Sequence, residues 1–271
     1  MTPKSGPGAL WLACWTLWRR EMVRFLRQRS RVIGALGTPV IFWLLMGAGL
    51  QESLQVPGAD ARVNYLEFSF PGAIAAILLF TAIFSTISLI DDRREGFLQG
   101  VLVAPVPRSA IALGKILGAT TLAVGQAVFF LFLAPAAGIR MGLSEAAASI
   151  GAMILLAFAV TSLGFWLAWR MDSTQGFHAV MNLFLLPMLV LSGAFFPPAG
   201  SAPWLRGVIA VNPMTYGVAM LRHALYFGRD ASPVSVGAAP GVALAISSLF
   251  ALLMFGFALR TVSRESARVL Q

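Results

Sequence analysis

The chain is short of charge, thiols and imidazoles, and each shortage excludes something. Only 11% of its 271 residues are charged, where a soluble domain carries about a quarter. Cys14 is the sole cysteine, so an internal disulfide is excluded. With two histidines beside it, a Cys/His metal centre is not expected. No Gly-x-x-x-x-Gly-Lys-Ser/Thr phosphate loop occurs: Gly114-Lys115 lacks the upstream glycine and the following hydroxyl. The chain is therefore not expected to hydrolyse ATP itself. No serine, cysteine or histidine constellation supports nucleophilic catalysis.

What the chain has instead is long apolar runs. Residues 32–50, 68–90, 116–139, 146–169, 177–196 and 238–259 carry no formal charge. About 20 apolar residues cross the hydrocarbon core as a helix, and lipid tolerates no exposed irregular backbone. The predicted fold is all-α and polytopic. Its six spans are placed at about 32–50, 68–90, 112–139, 146–169, 177–196 and 238–259. The net charge of +9 could point to nucleic acid, but its distribution has a simpler cause. With the N-terminus inside, fifteen Lys and Arg fall on the inner side. Five (Arg62, Arg140, Arg206, Arg222 and Arg229) fall outside. That is the positive-inside pattern, with both termini cytoplasmic. The start does not read as a cleaved signal, because its arginines follow the apolar stretch.

Residues 1–31 read as a polar lead and an amphipathic helix. Trp11, Trp15, Trp18, Met22 and Phe25 recur at helical spacing, and Arg20, Arg24, Arg27 and Arg31 are expected opposite them. Such a helix lies at the headgroups, either as a plain anchor or as a platform that also touches a partner. Thr38-Pro39 is expected to kink the first span. The inner loop 91–110 is the most charged stretch, Asp91-Asp92-Arg93-Arg94-Glu95-Gly96. A short surface-lying helix follows it and is closed by Pro105 and Pro107. Lys115 is expected to snorkel to the inner interface. Gly114 and Gly118 stand at GxxxG spacing, which can mark close helix packing. Short connections predict antiparallel neighbours for spans 3 and 4 and for spans 4 and 5.

Residues 203–228 are too apolar for an external loop, and Asn212-Pro213 breaks them into two pieces. At 1.5 Å per residue the pieces are about 12 and 21 Å long, too short to cross. A re-entrant hairpin bordering a cavity fits, as does an amphipathic helix on the surface. In the hairpin reading Arg206, Asn212, Pro213, Thr215, Tyr216, Arg222 and His223 are candidates for an exit path.

Two chemical alternatives follow from the charges. Asp91, Asp92 and Glu95 could hold magnesium and a diphosphate in an intramembrane transferase. Such a site needs a second acidic cluster, and none of the eleven acidic residues supplies one at an inner helix end. An ion-coupled transporter keeps a membrane-embedded charge. The spans offer only Gln126, His178, Asn182 and hydroxyls, which moves the energy source to another chain.

Taken together, these segments resemble the permease subunit of type-2 ABC exporters, a mostly bacterial family. One set of motifs runs from Arg93-Arg94-Glu95-Gly96-Phe97-Leu98-Gln99 through Pro105-Val106-Pro107-Arg108-Ser109 to Gly114-Lys115-Ile116-Leu117. Another is Leu191-Ser192-Gly193-Ala194-Phe195-Phe196-Pro197, then Pro203-Trp204-Leu205, Asn212-Pro213-Met214-Thr215-Tyr216 and Leu221-Arg222. The resemblance implies a pair of permease copies in a bacterial inner membrane, each docking one cytoplasmic ATP-binding-cassette ATPase. ATP and magnesium would sit on that partner, and this chain would hold no cofactor. The ATPase contact carries over to Arg19, Arg20 and Glu21, and to Arg93, Arg94, Glu95, Gly96, Leu98 and Gln99. The substrate path falls against spans 1, 2 and 5, where Phe42, Phe80, Phe84, Asn182, Phe195 and Phe196 are candidate lining residues. A hydrophobic or amphipathic substrate suits so apolar a path. Twenty phenylalanines and seven tryptophans also leave a glycan or glycolipid open.

Overall fold

The computed structural model describes residues 7–50, 65–103, 106–197, 201–227 and 238–269. The external segment 51–64, Pro105, Pro198 and Arg229 lie outside them. Among the described residues every regular element is helical. The six long apolar helices are α2 (Arg29–Leu50), α3 (Tyr65–Arg94), α5 (Arg108–Leu131), α6 (Leu143–Ala168), α7 (Thr174–Leu189) and α10 (Pro240–Val269). Four others flank them: the amphipathic α1 (Pro7–Arg27) and the short α4 (Phe97–Val103), α8 (Pro203–Val211) and α9 (Pro213–Leu225).

Helix α3 is the axis of the bundle. Its apolar stretch is 89% buried, against 22% for α2 and for α10. Around it pack α2, α5, α6 and α7, while α10 lies outside on α6 and α9. The two outermost helices are apolar all round and their outer faces are uncovered: Ile33, Ile41 and Leu45 on α2, and Leu244, Leu252 and Phe257 on α10, stay exposed. Beneath the outer end of α2, Trp43 meets Phe70 and Phe130 edge-on at 5.6 and 5.2 Å and donates its indole N–H to the Leu66 carbonyl at 3.0 Å. The polar handle of a buried tryptophan is thereby satisfied.

Helix α2 includes Pro39 within one continuous helix. Two expectations change. Helix α5 stops at Leu131, and a 3₁₀ turn, Ala134–Ala137, with Gly138 at φ 84° leads towards α6. Spans 4 and 5 are not partners along their length. Ser173 caps the start of α7, accepting from the Gly176 N–H at 3.3 Å, and α7 then packs on α3. The physical reason is that α3, α5, α9 and α10 already cover α6.

On α1 the arginines lie opposite the tryptophans, roughly 180° away at 100° per residue, and what the structure adds is the face that is buried. The buried stripe is Cys14, Leu17, Glu21 and Phe25, and at 100° per residue it runs between the two groups. This stripe lies on α5, where both glycines are needed. A Cβ on Gly114 would stand 2.8 Å from the Leu17 Cβ, and one on Gly118 would stand 2.9 Å from the Glu21 Cβ. Trp11 and Trp15 are left exposed on one flank, and Arg20 and Arg24 face α3 on the other.

Candidate functional site

At the inner end, α3 continues past its apolar stretch for one more turn and so carries Asp91 and Asp92 over the arginine flank of α1. Arg20 grips Asp92 with both ends of its fork, at 2.8 and 2.6 Å. Arg24 reaches the same carboxylate at 2.6 Å and Asp91 and Glu95 at 3.5 Å, and Arg31 reaches Asp91 at 3.2 Å. Below them, Lys115 of α5 donates to Glu21 at 2.7 Å and also to Asp92. The second Glu21 oxygen accepts from Ser88 at 2.7 Å. Glu21, Asp92 and Lys115 are all buried. Four acids (Glu21, Asp91, Asp92, Glu95) thus meet four bases (Arg20, Arg24, Arg31, Lys115).

This cluster corrects two expectations. Lys115 does not snorkel outwards; it is held inside by two carboxylates. The spans are also not free of buried charge. The charges escape a scan of single segments because their counter-ions sit on α1, outside any span. A buried ion is tolerable only when paired and hydrogen-bonded, and each Asp92 oxygen accepts from two cations. The carboxylate that a magnesium site would need is thereby engaged with protein cations, which removes the support for a transferase built on Asp91, Asp92 and Glu95. Burial by itself lowers the pKa of the Arg20 guanidinium, but its bonds to Asp92, with the Glu21 and Glu95 charges nearby, hold it above its ordinary value.

Gly96, at φ 75°, ends the α3 extension in a conformation that glycine adopts freely. The chain then turns into α4. Arg20 lies over the Phe97 ring at 3.6 Å, and Leu98 is buried, so α4 is fastened to α1 and to the bundle. Arg93 and Arg94 tie this corner to the α6–α7 turn: Arg93 bonds Asp172 at 2.9 Å and also the Trp169 carbonyl, and Arg94 bonds the Asp172 carbonyl at 2.9 Å. Of the predicted contact residues, Arg19, Arg94, Glu95 and Gln99 are exposed, Gly96 and Arg93 are half-buried, and Glu21 and Leu98 face inwards. A groove of about 700 Å³ lined by Arg19, Arg20, Arg24, Arg27 and Glu95 opens beside them.

At the outer end, α7 finishes in a π turn, Val190–Ala194, with Gly193 at φ 75°. Helices α8 and α9 form a short-armed pair that contacts this turn. The corner is Asn212, which accepts from the Met214 N–H at 3.0 Å and donates to the Met188 carbonyl at 2.6 Å. Thr215 and Tyr216 donate to the Ile209 and Ala210 carbonyls, both at 2.7 Å, closing the pair on itself. Pro213 occupies the first turn of α9, where its missing N–H costs nothing. Arg206 is exposed. Arg222 is buried and donates to the carbonyls of Phe68 and Gly193 at 3.4 and 3.3 Å. Asn212 and Arg222, expected along a water-filled path, thus point into the bundle.

The candidate path residues converge in part. Phe42 meets Phe195 edge-on at 5.2 Å. Phe84 sits between Gly34 of α2 and His178 of α7, with ring centroids 6.1 Å apart for the latter. Phe80 and Phe196 are half-buried, and Asn182 is exposed on α7. Beside them an apolar groove of about 630 Å³ runs between α7 and α8, lined by Phe184, Met188, Leu191, Trp204, Val208 and Val211. Sequence reasoning passed over Lys115 and Ser88 as members of the inner cluster. The available signal was Glu21, a lone acid inside the otherwise apolar stripe Cys14, Leu17 and Phe25.

The family model described as ABC-2 type transporter matches residues 12–226. A protein of Cyanophora paradoxa named as a transport permease, ycf38, is 28% identical over 210 residues, covering 75% of this chain and 71% of its own. Nodulation protein J of Rhizobium leguminosarum bv. viciae is 29% identical over 219 residues, 79% of this chain and 82% of its own. The daunorubicin resistance ABC transporter permease protein DrrB1 of Streptomyces coeruleorubidus is 23% identical over 212 residues, 78% and 73%.

Proposed function

The chain belongs to the ABC-2 type transporter family, and from that premise we propose that it is the membrane half of an exporter driven by a separate ATP-binding-cassette ATPase. The observation that carries this reading is the fastening of α4. A short helix at the inner surface is held to α1 by Arg20 lying over Phe97 and to the bundle by buried Leu98, and the end of α3 that leads into it is tied by ions to α1 and to the α6–α7 turn. A push delivered there would move the bundle as a body. Arg19, Arg94, Glu95 and Gln99 are the contact side chains in this reading. Arg20 and Glu21 hold the platform behind them.

Two copies would face each other through α2 and α7, whose outer surfaces are apolar and uncovered, among them Ile41, Phe42, Leu183 and Phe184. In this arrangement both termini are cytoplasmic and the membrane is a bacterial inner membrane. The substrate class it supports is hydrophobic or amphipathic, because the exposed α2 and α7 faces and the α7–α8 groove offer few polar groups. The name of one relative, a daunorubicin resistance permease, points the same way. The Phe42–Phe195 pair favours a glycan or glycolipid as the second reading, since aromatic faces also suit sugars.

The test is co-expression with an ATP-binding-cassette ATPase from the same genome. The ATPase is expected to co-purify with the wild-type chain and to be lost with a Glu95→Lys, Gln99→Lys variant. ATP-dependent uptake of daunorubicin into inverted vesicles is expected to disappear with it. Wild-type levels of co-purification and uptake by that variant would sink the coupling assignment.

A further inference from the structure

We propose that Arg222 and Asn212 are positioning residues for export, clamping the π turn at the end of α7 so that Phe195 is held against Phe42. The inference rests on the export reading above. It begins from a cost: a charged side chain buried among apolar helices is expensive unless it is hydrogen-bonded. Arg222 is 3% exposed, lies over the Phe68 ring at 5.0 Å, and spends a guanidinium nitrogen on two backbone carbonyls. One of them belongs to Gly193, the residue in the π turn with positive φ.

The last carbonyls of a helix have no partner within it, and a π turn rearranges them further. Two of these carbonyls are met by side chains of the α8–α9 pair: Met188 by Asn212 at 2.6 Å and Gly193 by Arg222 at 3.3 Å. From the opposite side α3 presses on the same turn. A Cβ on Gly72 would lie 2.5 Å from the Ala194 carbonyl oxygen, and Tyr65 donates to the Phe195 carbonyl at 3.0 Å. The turn is therefore gripped on both sides, and its setting aims Phe195.

Phe195 meets Phe42 edge-on, with the rings inclined at 80°. Phe42 is 44% exposed on α2, so this pair bridges α2 and α7 on their open apolar side. If the α8–α9 pair shifts, both carbonyl bonds go, the turn relaxes and the aromatic pair parts. The short helices thereby control whether the seam between α2 and α7 is closed at its outer end.

Cross-linking tests this without any transport assay. Cys14→Ser removes the native thiol, and Phe42→Cys with Phe195→Cys adds two at the seam. The yield with a short bismaleimide is then measured in native membranes. Loss of one hydrogen bond, worth about 1 kcal/mol, lowers the closed-to-open ratio of the seam about fivefold. Arg222→Met is expected to lower the ratio of cross-linked to uncross-linked chain by that factor. Arg222→Lys is expected to keep most of it, because an ammonium can reach the same carbonyls. Gly193→Ala forces the turn without touching Arg222 and is expected to behave like Arg222→Met. It also decides the matter if Arg222→Met fails to reach the membrane. Reference yields in both Arg222→Met and Gly193→Ala would overturn the proposal. So would an Arg222→Lys yield as low as that of Arg222→Met, which would make the site a matter of packing. Loss of daunorubicin uptake with unchanged cross-linking defeats the clamp and leaves export standing. Absence of uptake in the unsubstituted chain with its ATPase, alongside the expected cross-linking pattern, defeats export instead.

Discussion

Lys115→Met removes one cation from a buried cluster that is otherwise balanced, and the geometry says which acid is stranded. Asp92 keeps Arg20 at 2.6 Å and Arg24 at 2.6 Å. Glu21 keeps the Ser88 hydroxyl at 2.7 Å, and its nearest remaining cation is Arg20 at 3.8 Å. The Lys115 and Glu21 side chains are only 4% and 5% exposed, so little water replaces the lost partner. Removing one member of such a pair costs about 3–5 kcal/mol. For a chain of this size that lowers the melting temperature by roughly 10 °C.

The companion variants make the reasoning refutable. Glu21→Gln alone leaves Lys115 with Asp92, and its amide still accepts a hydrogen bond, so its cost is smaller than that of Lys115→Met. Lys115→Met with Glu21→Gln removes the stranded charge, and isosteric replacement of a buried pair is often close to neutral. The double variant is expected to recover most of the lost stability, giving a coupling energy of about 2 kcal/mol or more. Thermal unfolding of the purified chain in one detergent measures all four corners of the cycle. Strictly additive single effects would show that Lys115 and Glu21 do not share one electrostatic site, and the account of α1 docking would fall.

Gly114→Ala places a methyl 2.8 Å from the Leu17 Cβ and 2.9 Å from the Cys14 carbonyl oxygen; overpacking of this kind costs about 1–3 kcal/mol, and limited proteolysis is expected to cut α1 faster. Trp43→Ala empties a site 2% exposed and is expected to cost about 3–5 kcal/mol, whereas Trp43→Phe keeps the ring contacts and loses mainly the bond to Leu66, about 1 kcal/mol; equal thermal shifts for the two would refute the aromatic cluster. Burial raises the pKa of the Cys14 thiol and so reduces the reactive thiolate at neutral pH; maleimide labelling of native membranes at pH 7 is expected to be much slower than for a Cys14→Ser, Trp15→Cys chain and to accelerate as pH rises.

The sequence made the spans legible because a hydrocarbon core imposes a length and forbids charge, and both are properties of a single segment. It made the break at Asn212-Pro213 legible for the same local reason: proline starts α9 and two short arms cannot cross. What escaped were properties held between segments. Lys115 reads as an interfacial lysine until α1 is laid on α5, and nothing in the run from Arg108 to Leu131 says that Glu21 lies across from it. Arg222 reads as an external charge until the end of α7 supplies it with a carbonyl.

The positive-inside count had the same blind spot. It treats every arginine as a solvated charge. Arg20 and Arg24 instead serve the acids at the end of α3, and Arg222 serves backbone. Buried charge is costly alone and affordable in partnership, so in this fold the polar residues that a segment-by-segment reading sets aside hold the short helices to the long ones. At the inner surface that partnership fixes α1 to α3 and α5; at the outer surface it fixes α8 and α9 to the end of α7. A cost is incurred at both ends and at neither is it needed to cross the membrane, so under the proposed export reading the ionic and carbonyl contacts are the links through which motion would pass between elements.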